Sequence, residues 1–111
     1  MIDWERVSDL RNEVGEDNFH EVVAMFLEEV EDVTTRLANA PDPARFEDDL
    51  HFLKGSSLNL GFRALAALCQ TGEKLAANGQ AALIVISDVD ACYRQSKLEF
   101  LADFSKAVQA A

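Results

Sequence analysis

Positive charge is what this sequence has least of. Ten Lys and Arg stand against twenty Asp and Glu, a formal net charge of −10. A nucleic-acid surface or an anionic membrane surface needs clustered cations, so the balance argues against both as partners. Long apolar runs are missing as well. None approaches the roughly 18 residues that a bilayer span requires, and the opening MIDWERVSDL carries no secretory pattern. Cysteine is scarce: Cys69 and Cys92 stand alone, with neither CxxC nor another ligand spacing. Buried free thiols in a reducing cytoplasm are the expectation. There is no Gly-rich phosphate loop and no kinase-like nucleotide-binding pattern, so no machinery for ATP.

What the chain does have is helical patterning. At 111 residues, 49% hydrophobic and 27% charged, it is long enough for one core and too short for two, which predicts one globular domain over residues 1–111. No internal repeat, low-complexity segment or linker divides it, and the surplus of acid reads as a solvated helical surface.

Ile2, Val7, Leu10 and Val14 predict a short first helix closed by Gly15. Asp17 is placed to cap the next, whose stripe is Phe19, Val22, Val23, Phe26, Val30, Val33 and Leu37. On its other face Asp32 and Arg36 have the order of an i, i+4 ion pair. Ala40-Pro41-Asp42-Pro43 ends that helix, and Asp42 caps the one that follows, with Pro43 at its first position. The following helix runs to Gly61, which suits the left-handed position past a helix end. Another begins almost at once, with Leu65, Leu68, Cys69, Gly72, Leu75 and Ala76 inward, and stops at Asn78-Gly79. So short a connection forces an antiparallel hairpin in which facing residue numbers sum to about 123. His51 then faces Gly72 and Glu73, and Gly72 allows a close approach of the two helices. From Gln80 onward, Ile86, Val89, Tyr93, Ser96, Phe100, Phe104 and Ala107 predict one long helix of roughly 45 Å, with Ser87-Asp88 the weak point in it. The fold class is all-α: an antiparallel four-helix bundle with a short N-terminal helix and a long C-terminal one.

The centre of this arrangement is FEDDLHFLKGSSLNLG, residues 46–61. Phe46, Leu50, Leu53, Ser57 and Leu60 make the seam. His51 points about 140° from Phe46 and out of it. A free imidazole titrates near pH 6.5, so at neutral pH it is mostly an uncharged nitrogen nucleophile. Lys54, one turn on, is the only basic residue between Arg45 and Arg63. It could stabilise negative charge added to the ring. Gly55 costs about 1 kcal/mol relative to alanine inside a helix. It reads either as a tolerated exposed glycine or as room for another protein to come close to His51. Phe52 and Leu58 flank the same sector as apolar surface for such a partner. Either could instead pack on the overhanging last helix, and for Phe52 the two readings are equal.

His51-Phe52-Leu53-Lys54-Gly55-Ser56-Ser57, followed by Leu60-Gly61, resembles the signature of histidine-containing phosphotransfer (HPt) domains. These are four-helix bundles that pass a phosphoryl group between a histidine and the aspartate of a receiver domain. The resemblance implies that His51 is phosphorylated, that Lys54 steadies the phosphoryl group, and that Gly55 gives the receiver access. It implies receiver domains of response regulators, or of a hybrid histidine kinase, as partners. The domain would have no cofactor and no kinase activity of its own. The magnesium that in-line transfer needs would sit in the receiver's acidic site. In the family a polar residue on the following helix often hydrogen-bonds the imidazole, frequently a glutamine. That place falls here on Glu73, with Gln70 one turn earlier.

Two other readings compete. Asp17-x-x-His20 and Asp48-x-x-His51 have acid-x-x-His spacing, as in bundle metal sites. The acids are aspartates, however, both histidines lie off the apolar seams, and Lys54 would repel a cation. His20 therefore reads as surface. The second is an interaction module whose helices bind a partner without chemistry.

Overall fold

A computed structural model describes the backbone of residues 2–110 and side chains as far as residue 103. Helices form where the apolar period runs: α1 Trp4–Val14, α2 Glu16–Asn39, α3 Phe46–Leu60, α4 Arg63–Ala77 and α5 Ile86–Ala110. Single 3₁₀ turns at Pro43–Arg45 and Ala81–Leu83 precede α3 and α5. α2 packs on α3, α3 on α4, α4 on α5 and α5 on α2, which closes a four-helix ring; α1 lies against α2 and α3. This is the expected all-α bundle. No helix among the described residues is long and apolar enough to cross a membrane.

The α3 seam is buried as its spacing requires. Leu50, Leu53, Ser57 and Leu60 are fully enclosed and Phe46 nearly so. Each buried leucine of this kind contributes about 1.5–3 kcal/mol relative to an exposed one. On α2 the buried line is Phe19, Val23, Leu27, Val30, Thr34 and Leu37. Val22, Phe26 and Val33 lie at its margin, so the stripe is turned slightly from the predicted one. Val89, Tyr93, Ser96 and Phe100 line α5 as expected; Phe104 and Ala107 fall outside the described side chains. Cys69 is buried, which pushes its thiol up to about 12, and Cys92 is half-buried.

Two glycine caps fix the α3–α4 hairpin and its exit. At Gly61, φ is 76°; its N–H bonds to Leu58 O and the N–H of Phe62 to Ser57 O. Gly79, at φ 74°, repeats the pattern with Ala76 and Leu75. Both are left-handed helix ends that satisfy otherwise orphaned carbonyls. The N-terminal segment then clamps the first hairpin turn: Asp3 N–H donates to Gly61 O at 2.7 Å, and Ile2 forms an isolated bridge to Phe62. Phe62, unassigned by periodicity, is fully buried. It meets Phe100 edge to face at 5.5 Å, while Trp4 stacks on the other side of this cluster at 5.7 Å from Phe100.

Asp42 is the cap expected of it, with Pro43 in the first position: it accepts from Ala44 N–H at the head of the 3₁₀ turn Pro43–Arg45, from which α3 continues. Three local expectations are corrected. Asp17 is not the cap of α2: Gly15 is, and Asp17 lies in the first turn, where its charge favours the positive end of the helix dipole. Arg36 does not pair with Asp32. It reaches across to Asp49 on α3 through two hydrogen bonds of 2.9 and 2.6 Å, a bidentate contact to a buried carboxylate that outweighs an exposed i, i+4 pair. Finally, the last helix does not begin at Gln80. Ile84 is extended (φ −79°, ψ 125°), as β-branched residues favour, and it packs toward Gly72. α5 therefore starts at Ile86 and measures about 37 Å.

Candidate functional site

The outward face of α3 carries the residues that the seam leaves over. Relative to His51, Leu58 lies about 20° to one side, Gly55 about 40° and Phe52 about 100° to the other, and Lys54 about 60° away beside Leu58. The His51 side chain is 72% exposed. Phe52 and Leu58 are exposed too, at 38% and 57%. A β-carbon on Gly55 would meet nothing within 4 Å. The bundle itself has no use for the space above that glycine.

On α4, Gly72 does the reverse. A β-carbon there would stand 2.7 Å from Leu50 Cδ1, so glycine is what brings α4 against α3 at this level. The close approach places Glu73 beside the imidazole. Its Oε2 lies 2.9 Å and its Oε1 3.3 Å from His51 Nδ1. Lys54 Nζ donates to Oε1 of the same carboxylate at 2.9 Å. These contacts hold Glu73 below the usual carboxylate range, first through the hydrogen bond from Lys54 and then through that from His51.

An ionised carboxylate can only accept hydrogen bonds, which assigns the ring's tautomer. Nδ1 must carry the hydrogen and donate it to Glu73. In the neutral ring the lone pair then belongs to Nε2, at the far edge of an exposed imidazole. Chemically, this is a fixed nitrogen nucleophile in open solvent with an ammonium group one turn away.

Of the residues singled out by sequence, His51, Lys54 and Glu73 come together at one carboxylate. Gly55, Phe52 and Leu58 form the surface around them. Gln70 is exposed on α4, and the ring donates its hydrogen bond to Glu73 instead. His20 is exposed on α2. Among the described residues no group of three or more His, Cys, Asp or Glu side chains could hold a metal ion. Sequence reasoning missed the brace beneath the site, Arg36 to Asp49, two residues before His51. The available signal was that Asp49 falls one position before Leu50, on the inner side of α3.

In comparisons with known proteins, the family model described as the Hpt domain matches residues 21–109. Neither curated proteins nor solved structures gave a match. The family match takes in α3, α4, the 3₁₀ turn after them, α2 from its sixth residue on and all but the last residue of α5. Hpt domains are helical phosphocarriers without kinase activity, and they act in phosphorelays with receiver domains and histidine kinases. With four-fifths of its length so matched and the helical bundle that goes with it, the chain belongs to the Hpt domain family.

Proposed function

We propose that the protein relays a phosphoryl group between His51 and the aspartates of receiver domains in a two-component phosphorelay. The observation that carries this reading is the exposed imidazole tied through Nδ1 to Glu73, which leaves Nε2 free for in-line attack. Lys54 is close enough to turn from Glu73 toward a phosphoryl group on the ring, and a charge-assisted contact would stabilise it there. Open space over Gly55 admits the rim of the receiver, and Phe52 and Leu58 give it apolar surface. The receiver brings magnesium in its own acidic site, and this chain contributes the positioned nucleophile and no ATP chemistry. Partners are receiver domains of response regulators or of a hybrid histidine kinase, met in the cytoplasm.

The test is incubation with a receiver domain phosphorylated on its aspartate. Acid-labile, base-stable label is expected on the wild-type protein and none on His51→Gln. Label of that kind on His51→Gln would move the site elsewhere. No label on either protein would favour a module that binds without chemistry.

A further inference from the structure

α5 carries two rows of residues at the spacing of packed helices. Val89, Tyr93, Ser96 and Phe100 follow a 4, 3, 4 step and are buried in the bundle. Ala91, Arg94, Leu98 and Leu101 follow a 3, 4, 3 step, and all four are exposed. At about 100° per residue the second row points roughly 150° away from the first. Alternating steps of three and four make the seam of a helix pair. Among the described residues, no helix of this chain covers the second seam.

Beside that seam, α2 and α5 enclose a groove of about 490 Å³. Its charged lining is Glu31, Asp90, Arg94 and Lys97, and its apolar lining includes Leu98 and Leu101, which are 66% and 41% exposed. The Tyr93 hydroxyl and Lys97 both donate to Glu31, and Arg94 lies 3.0 Å from Asp90. Two acids against two cations leave this lining balanced, on a chain whose formal charge is −10. The outward face of α2 is different: it presents Glu21, Glu28, Glu29 and Asp32, with no Lys or Arg between residues 21 and 32. A face can meet its own copy across a two-fold axis only if it complements itself, with both signs of charge present. An acidic face of this chain would repel its copy. The balanced groove, with leucines at its centre, would not, and a partner of one strong charge sign would gain little from it.

We infer that the exposed α5 seam and the α2–α5 groove bind a second copy of this chain. Leu98 and Leu101 of the two copies share the apolar centre, and Arg94 and Lys97 of each come within reach of the other's acids. The four-helix ring sets this edge opposite the α3–α4 edge, where Glu73 meets His51. The pair therefore leaves both His51 rings uncovered, facing away from the shared surface. This goes beyond the relay reading and does not depend on it.

The experiment is sedimentation equilibrium of the full chain from low micromolar to near-millimolar concentration. Wild type should move from the 12.3 kDa of one chain toward twice that mass. Leu98→Glu combined with Leu101→Glu should stay at the mass of one chain throughout, with helicity unchanged because both side chains are exposed. Arg94→Glu leaves three acids facing one cation and should weaken association about tenfold or more. Two controls should associate like wild type: Leu83→Glu, which alters an exposed leucine outside the groove, and His51→Gln on the opposite edge. A single-chain mass for wild type at every concentration overturns the inference and leaves the groove to a different partner. Association that survives Leu98→Glu with Leu101→Glu, or that is lost equally in either control, overturns it as well. A receiver that fails to label His51 overturns the relay reading instead, since the mass measurement involves no phosphoryl transfer.

Discussion

A β-carbon on Gly61 would stand 2.6 Å from the carbonyl oxygen of Asp3. That oxygen is backbone and is already engaged by the N–H of Val7, so it cannot swing aside. Gly61 is also left-handed, at φ 76°. Gly61→Ala thus meets two separate penalties, and a loss of about 2 kcal/mol or more is expected. Urea unfolding with an unchanged slope and a lower midpoint would register it; an unchanged midpoint would mean the N-terminal segment does not hold this turn.

Gly55 and Gly72 lie on neighbouring helices at neighbouring levels and should respond in opposite ways. Gly55→Ala gains about 0.5–1 kcal/mol of helix propensity with nothing in the way. Gly72→Ala has the same propensity gain but must displace the fully buried Leu50, and overpacking of a core costs about 1–3 kcal/mol. The two variants should differ in unfolding free energy by at least about 1 kcal/mol, with Gly72→Ala the weaker. Equal stabilisation of both would contradict the close contact of α3 and α4.

On transfer, Gly55→Gln is expected to raise the unfolding midpoint and yet slow phosphorylation by a receiver, because a long side chain occupies the docking space. Gly55→Ala should slow it less, and labelling by phosphoramidate should change little in either. A wild-type rate of receiver transfer in Gly55→Gln would show that the receiver does not approach over this position.

Lys54→Ala should leave the helices intact and slow receiver transfer on the order of tenfold, the equivalent of about 1.4 kcal/mol at the low end of a charge-assisted hydrogen bond. The resting pair with Glu73 means that Lys54 must first let go of a carboxylate. A rate unchanged by Lys54→Ala would leave that pair as the lysine's whole role.

Acid should weaken the fold through two carboxylates. Glu31 is held below its ordinary range by Lys97 and then by the hydroxyl of Tyr93, and Glu73 by Lys54 and then His51. Because both are depressed in the folded state, the unfolded chain takes up their protons first as pH falls. Their contribution is complete above the ordinary glutamate value of about 4.3 and is lost as pH drops below it through the folded values. The thermal midpoint should decline over that interval, and less steeply in Glu31→Gln combined with Glu73→Gln. Parallel declines would assign acid sensitivity to other carboxylates.

Much of this was legible because it obeys short-range rules. The 4, 3, 4, 3 spacing from Phe46 to Leu60 places the seam, and Gly61 and Gly79 mark helix ends. The short Gly61-Phe62 turn sets the hairpin arithmetic that brings Glu73 to His51. What escaped depends on contacts distant in sequence. Arg36 has an acid four residues before it, yet the structure gives it Asp49, whose burial depends on how α2 lies against α3. Phe62 and Trp4 belong to no helical stripe and become core only when the N-terminal segment folds over the hairpin turn. Residues 81–85 read as helix by extending the α5 stripe backward, but Ile84 is drawn out of that register to pack beside Gly72.

The aromatic cluster has a practical side. Trp4 is the chain's single tryptophan, and its ring lies within 7° of parallel to Phe100, at the seam between α1 and α5. All indole emission therefore originates where the N-terminal helix is pinned to the bundle. Peeling α1 away would expose that ring to water and shift its fluorescence to longer wavelength while α2 to α5 kept their helicity. The protein thus carries its own optical gauge of whether the first helix is docked, readable without any label.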